Sequence, residues 1–189
     1  MIDSAISTFT SVTNIGTTNA SQDQGEKFLR FQLGDLAIAL LALNSIKQVM
    51  QVSLSEILPV PQMPGCVLGI YNWRGEMLWL VDLGQMLGFP SLCDPSLEVG
   101  SQPPLTKGGD LMAIAIQIGD KTLGLVVRQI NDIERHHLQQ INQPSIGLFS
   151  PDIMPYLGGY LLGEEREVLM VLNGEAIANA PLWQIHKFG

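Results

Sequence analysis

Residues 67–88 read VLGIYNWRGEMLWLVDLGQMLG, and this stretch decides the fold class. Two apolar runs, residues 67–71 and 77–81, flank a polar break, Asn72-Trp73-Arg74-Gly75-Glu76. Each run is strand length, rich in Val, Ile, Leu and aromatic residues, and too short for a full helix. The break offers Asn and Gly, which tolerate the positive φ of a tight hairpin. The reading is strand, turn, strand, with Arg74 held at the turn. Neither run alternates cleanly, which implies cover on both faces. Asp82 stands where a helix N-cap belongs, Gln85 where a capping box wants Glu or Gln, and Gly88 can end the turn.

Composition bounds what surrounds this hairpin. A chain of 189 residues can bury a substantial core, as one domain or two small subdomains. A formal net charge of −8 disfavours nucleic acid and anionic membrane surfaces, whose binding rests on Lys and Arg. No apolar run approaches the roughly 18–20 residues that span a bilayer. No Lys or Arg precedes Lys27, so the charged start of a secretion signal is missing and a cytoplasmic location is expected. Cys66 and Cys93 are too few for a disulfide framework and are not spaced as zinc ligands.

Residues 1–25 are dominated by Ser, Thr, Asn and Gln and read as a disordered tail. Strands are expected over residues 27–33 and 36–41, joined by Gly34-Asp35. Leu43, Ile46, Val49 and Met50 fit a helical turn, while residues 49–52 fit a strand equally well. Ser53-Leu54-Ser55-Glu56 has capping-box form, and Pro59, Pro61 and Pro64 force an extended lead into the hairpin. Residues 90–109, with four prolines and three glycines, read as a linker. Strands are expected again over residues 111–118, 123–127 and 168–172; a Pro/Gly-rich stretch covers 144–159. A short Ala-containing helix follows Asn173-Gly174, Pro181 stops it, and residues 181–189 form a C-terminal tail.

The chain repeats itself. Gln32-Leu33-Gly34-Asp35 returns as Gln117-Ile118-Gly119-Asp120; Ile46, Val49, Leu54 and Ile57 return 84 residues later as Ile130, Ile133, Leu138 and Ile141. Leu68-Gly69 is echoed by Leu157-Gly158, and residues 76–82 by residues 167–173. Two copies of a unit of short strands imply a paired β architecture. The halves run over about residues 26–89 and 110–180. In the second hairpin Leu162-Gly163 stands where Arg74-Gly75 would be, so only the first half keeps the polar turn.

The series FQLGD (31–35), Ile46-x-x-Val49, Pro59-x-Pro61, Val67-Leu68-Gly69-x-x-Asn72-x-Arg74-Gly75 and Leu80-Val81-Asp82-Leu83 resembles the CheW family of bacterial chemosensory adaptors. The resemblance covers roughly residues 26–180. It implies a mainly β fold of two SH3-like five-stranded β-barrel subdomains on a shared core, with short helices. It also implies no enzymatic activity and no cofactor. Such proteins couple a methyl-accepting chemoreceptor's cytoplasmic tip to a CheA-type histidine kinase, pair with the kinase's own CheW-like domain, and join receptor arrays or rings. Carried over by motif, Asn72, Arg74 and Gly75 sit at the receptor-binding groove, with Ile46 and Gln48 nearby. Gln48 stands where the family often has Glu, and Trp73, where Leu is common, would add apolar contact area. Trp79 replaces a usual Pro, Gly84 an Arg, and Asn173 the Asp of the second half.

Competing readings are few. Arg74 could be a solvated turn residue, but a fixed fork of donors suits the acidic and amide surface of a helical receptor tip. Asp82 and Asn173 are assigned to capping. The adjacent pair His136-His137 cannot converge on one metal and reads as surface or loop; His186 lies in the tail. No triad order, H-E-x-x-H, P-loop or G-x-G-x-x-G is present. The alternatives are a CheW-like regulator of pilus-based motility or of a non-motility pathway, and a small-ligand sensor using the cleft between the halves. Among them, the non-recurring Asn72-Trp73-Arg74-Gly75 points to the turn.

Overall fold

The structure, a computed structural model, describes residues 25–93 and 110–184. The expected N-terminal tail, most of the 90–109 linker and His186 lie outside the described residues. Strands β1 (Glu26–Gln32), β2 (Ile38–Ala42), β3 (Ile46–Ser53), β4 (Val67–Trp73) and β5 (Glu76–Asp82) lead into helix α1 (Leu83–Met86). The second set is β6 (Asp110–Ile118), β7 (Lys121–Val127), β8 (Gln129–His136), β9 (Leu157–Leu162) and β10 (Val168–Leu172), followed by helix α2 (Gly174–Ala178). The fold is mainly β, as the family resemblance implied.

Two five-stranded sheets form, in the orders β8-β1-β2-β10-β9 and β3-β6-β7-β5-β4. Each position in one order has its repeat counterpart in the other: β8 with β3, β1 with β6, β2 with β7, β10 with β5, β9 with β4. The sequence repeat is therefore a spatial pseudo-twofold, but repeat and sheet do not coincide. The first hairpin of each half pairs with the last three strands of the other half. Short connections enforce this exchange. Only Arg128 separates β7 from β8, and a three-residue 3-10 turn, Leu43–Ser45, separates β2 from β3. The seams of exchange are the parallel pairs β2–β10 and β5–β7.

Three apolar clusters follow from this arrangement. One lies inside the first sheet, around Phe28, Leu40, Leu161, Leu169 and Val171. A second fills the other sheet, around Val52, Leu78, Leu80, Leu111 and Val126. The largest, with Phe31, Leu41, Leu83, Ile114, Leu125 and Ile177, draws on both halves and is the shared core. Each fully buried Leu, Ile or Phe contributes roughly 1.5–3 kcal/mol, so this joint cluster dominates cohesion.

Several local expectations need correction. Residues 46–53 are strand, and their burial alternates with period 2 rather than 3.6. Strand β2 starts two residues late, because Leu33 N–H bonds Ala37 O and leaves Leu36 at the turn, 95% exposed. Residues 129–136, with Asp132, Glu134 and Arg135 among them, form an edge strand, so His136 ends a strand rather than sitting in a loop. Residues 157–159 belong to β9. Gly69, not Leu68-Gly69 as a pair, sets the repeat register: Gly69 faces Leu80 and Gly159 faces Val171. The bridges Leu58–Ile70 and Asn142–Tyr160 mark the same correspondence.

The Asp82 corner places the hairpin. Asp82 Oδ1 accepts from Gln85 N at 3.0 Å and caps α1; Asn173 Oδ1 accepts from Ala176 N at 3.1 Å and caps α2. The reciprocal arm of a capping box is not made at either candidate box. Asp82 N–H goes to Cys66 O instead, and Ser53 Oγ lies 2.9 Å from Ser55 Oγ with no cap bond. Helix α1 closes with Gly88 at φ 89°, its N–H on Gln85 O and the Phe89 N–H on Gly84 O, the paired bonds of a Schellman stop. Asp82 Oδ2 also accepts from Leu92 N at 2.8 Å and Ser91 Oγ at 3.1 Å, tying the start of the linker to the end of β5.

Candidate protein-binding site

The β4–β5 turn has two central residues, Arg74 at φ 56° and Gly75 at φ 86°. Positive φ at both is the signature of the type I′ turn, whose twist matches that of the flanking strands. The left-handed residue is thus Arg74 itself. Asn72 stays in the strand and accepts the Gly75 N–H on its Oδ1 at 3.0 Å. An arginine in this conformation carries local backbone strain, which persists only where the surroundings over-determine it.

Those surroundings are Trp73 and Gln48. The Trp73 indole is half-buried against the inner cluster of its sheet, and its Nε1–H donates to Gln48 Oε1 at 3.1 Å. The Arg74 guanidinium carbon lies 5.2 Å from the centroid of the same ring. That is within cation–π range. Arg74 is exposed and makes no ion pair among the described residues. The turn therefore presents an uncompensated, ring-supported fork of donors.

Gln48, Asn72, Trp73, Arg74 and Gly75 come together at this end of the sheet. Ile46 is half-buried against the shared core, separated from Gln48 by a β-bulge. Sequence reasoning did not find the Trp73–Gln48 bond. The two residues are 25 apart and meet only because β3 and β4 are the two edges of one curled sheet.

The other half carries a different arrangement at the equivalent place. The β9–β10 connection runs over residues 163–167, with the Gly163 N–H on Glu167 O, and holds Arg166 at φ 62°. An arginine at positive φ thus recurs, among Glu164, Glu165 and Glu167, although the Asn-Trp-Arg-Gly motif does not. Gly163 leaves the seam open where Trp73 fills it in the first half. A cleft of about 800 Å³ results, with Arg30, Glu134, His136 and Glu167 in its lining. Arg30 bonds Glu134 at 2.8 Å and Glu167 at 3.3 Å, and His136 Nε2 lies 2.8 Å from Glu134. Burial works against ionising Glu134, yet hydrogen bonds from Arg30 and His136 hold its carboxyl below the usual range. Arg135, Glu164 and Glu165 line it as well, so carboxylates outnumber guanidinium groups, and the cleft sits within one sheet rather than between the two.

Burial pushes the Asp82 carboxyl up, against the hydrogen bonds it accepts. Burial first, with the Asp82 carboxylate adding to it, also pushes the Cys66 and Cys93 thiols up, which suits structural thiols rather than nucleophiles. Among the described residues no group of three or more His, Cys, Asp or Glu is arranged to hold a metal ion, and no helix is long and apolar enough to cross a membrane.

Comparison with known proteins agrees in both sequence and fold. The model of the CheW-like domain matches residues 27–181. The chain is 25% identical over 159 residues to the chemotaxis protein CheW of Rhizobium meliloti (strain 1021), covering 82% of this chain and 90% of that protein. The crystal structure of the scaffolding protein TtCheW from Thermoanaerobacter tengcongensis superposes with a TM-score of 0.62 at 17% identity, over 79% of this chain and 89% of that one.

Proposed function

The chain belongs to the CheW-like domain family, and on that premise we propose that it is a non-enzymatic adaptor coupling chemoreceptor cytoplasmic tips to a CheA-type histidine kinase. The observation that carries this reading is the Arg74 turn. A guanidinium without an ion-pair partner, raised on a rigid hairpin and flanked by Asn72, suits a helical receptor tip bearing acidic and amide groups. The kinase's own CheW-like domain is assigned to the edge strands, where Val49, Ile133 and Leu162 are exposed. The protein acts in the cytoplasm and reaches the membrane through its receptors. The same edges serve array or ring assembly.

The test is Arg74→Glu. The variant is expected to keep the wild-type melting curve and kinase binding while losing binding to a receptor cytoplasmic fragment. A folded variant that binds the fragment as wild type does removes the groove assignment. Deleting the gene and scoring both swimming and surface migration distinguishes a flagellar pathway from a pilus-based one.

A further inference from the structure

We infer that Trp73, anchored by Gln48, is a positioning residue that holds the Arg74 guanidinium in one orientation for its partner. The geometry carries this in three steps. Arg74 sits at φ 56°, so its side chain leaves the turn in a direction fixed by the backbone. The guanidinium then lies 5.2 Å from the Trp73 ring centroid, a flat, weakly hydrated cation beside a π system. The ring itself is held at two points: its body packs against the buried cluster that includes Val52, Leu78 and Leu80, and its Nε1–H donates to Gln48 Oε1 at 3.1 Å.

The identity of residue 48 matters as much as the ring. An amide oxygen anchors the indole without carrying charge. A carboxylate at the same place would accept the same N–H but would put a negative charge within reach of the ring that supports Arg74. Gln48 thus fixes the platform and leaves Arg74 uncompensated. A side chain of many rotamers becomes one that has lost its freedom before the partner arrives, which is how preorganisation raises affinity.

Its consequence for binding rests on the adaptor reading, but the positioning itself does not, and the experiment separates them. The full chain is labelled with ¹⁵N, and the Arg74 Nε–Hε resonance is followed in wild type and in W73L, W73F and Q48A. Wild type is expected to show an upfield ring-current shift. W73L should abolish it, while W73F, which keeps a ring without an anchor, and Q48A should reduce it. Affinity for a receptor tip fragment should fall about three- to ten-fold in W73L, with Gln48→Glu also weaker although its indole N–H signal stays put. Combining W73L with R74A should add little to R74A alone. An Arg74 Hε shift that is unchanged in folded W73L, or in W73F and Q48A should W73L not fold, overturns the positioning role. R74A binding the fragment as wild type does removes the adaptor groove instead and leaves the ring-current result standing.

Discussion

Gln48 and Trp73 stand on the two edge strands of one sheet, and the 3.1 Å hydrogen bond between them closes its seam. One bond therefore serves both the fold and the presented surface. Gln48→Ala is expected to lower stability by about 1 kcal/mol, the typical net worth of one hydrogen bond with a half-buried partner. Trp73→Phe should cost a similar amount, and the double variant little more than either. Urea unfolding at constant m-value measures all three.

On the proposed adaptor reading, the strained backbone at Arg74 gives up stability for recognition. Asn and Gly adopt the left-handed conformation of Arg74 at less cost than an arginine does. Arg74→Asn or Arg74→Gly should raise stability by about 0.5–1 kcal/mol, read as a higher Tm. Receptor-fragment binding should be lost in both variants. A stabilised protein that no longer binds would identify the turn as a place where strain is retained for recognition.

The two perturbed carboxyls give opposite pH dependence. Glu134 is held low in the folded state by Arg30 and His136, so its contribution is present above its unfolded value near 4.5 and is lost as pH falls through the folded value. Asp82 is pushed up by burial, so the folded state holds its proton more tightly than the unfolded chain. Its contribution therefore weakens as pH rises from about 3.8 through the folded value. Denaturation between pH 3 and 7 should show Glu134→Gln losing less stability than wild type on acidification. Asp82→Asn should lack the part that declines with rising pH.

The two helix caps are alike in position and unlike in load. Asn173 is exposed and supports one backbone N–H, whereas Asp82 is fully buried and supports Gln85, Leu92 and Ser91. Asn173→Asp should change stability by less than about 0.5 kcal/mol, as a surface cap exchange. Asp82→Asn should cost about 1–3 kcal/mol at pH 7, because its amide would face donors where Oδ2 now accepts. Equilibrium unfolding of the two variants checks the contrast, and equal effects would contradict it.

What could be read from the chain was local. Asp82 and Asn173 cap by contacts three residues away, the Trp73–Glu76 hairpin needs only its own four residues, and the repeat is a comparison of the chain with itself. What could not be read depends on pairing between distant strands. Strand β8 carries Asp132, Glu134 and Arg135, and the solvated outer edge on which they lie breaks the apolar run that marks the other strands. The choice of Arg74 over Asn72 as the left-handed residue follows from strand register, which the turn residues alone leave open. The exchange of hairpins had one faint signal: a single residue, Arg128, between two strands is too short to return the chain beside itself in one sheet.

That exchange has a bearing on how the molecule comes apart. A fragment ending near residue 93 holds three strands of one sheet and two of the other, and the complementary fragment holds the remainder. Neither contains a complete sheet, so neither half can melt while the other stays whole. Unfolding is expected to be a single cooperative transition despite the duplicated plan. The two fragments, expressed together, should reassemble through the parallel seams. Tethered by their linker, the halves behave as an intramolecular domain swap, in which each copy of the repeated unit is completed by the other.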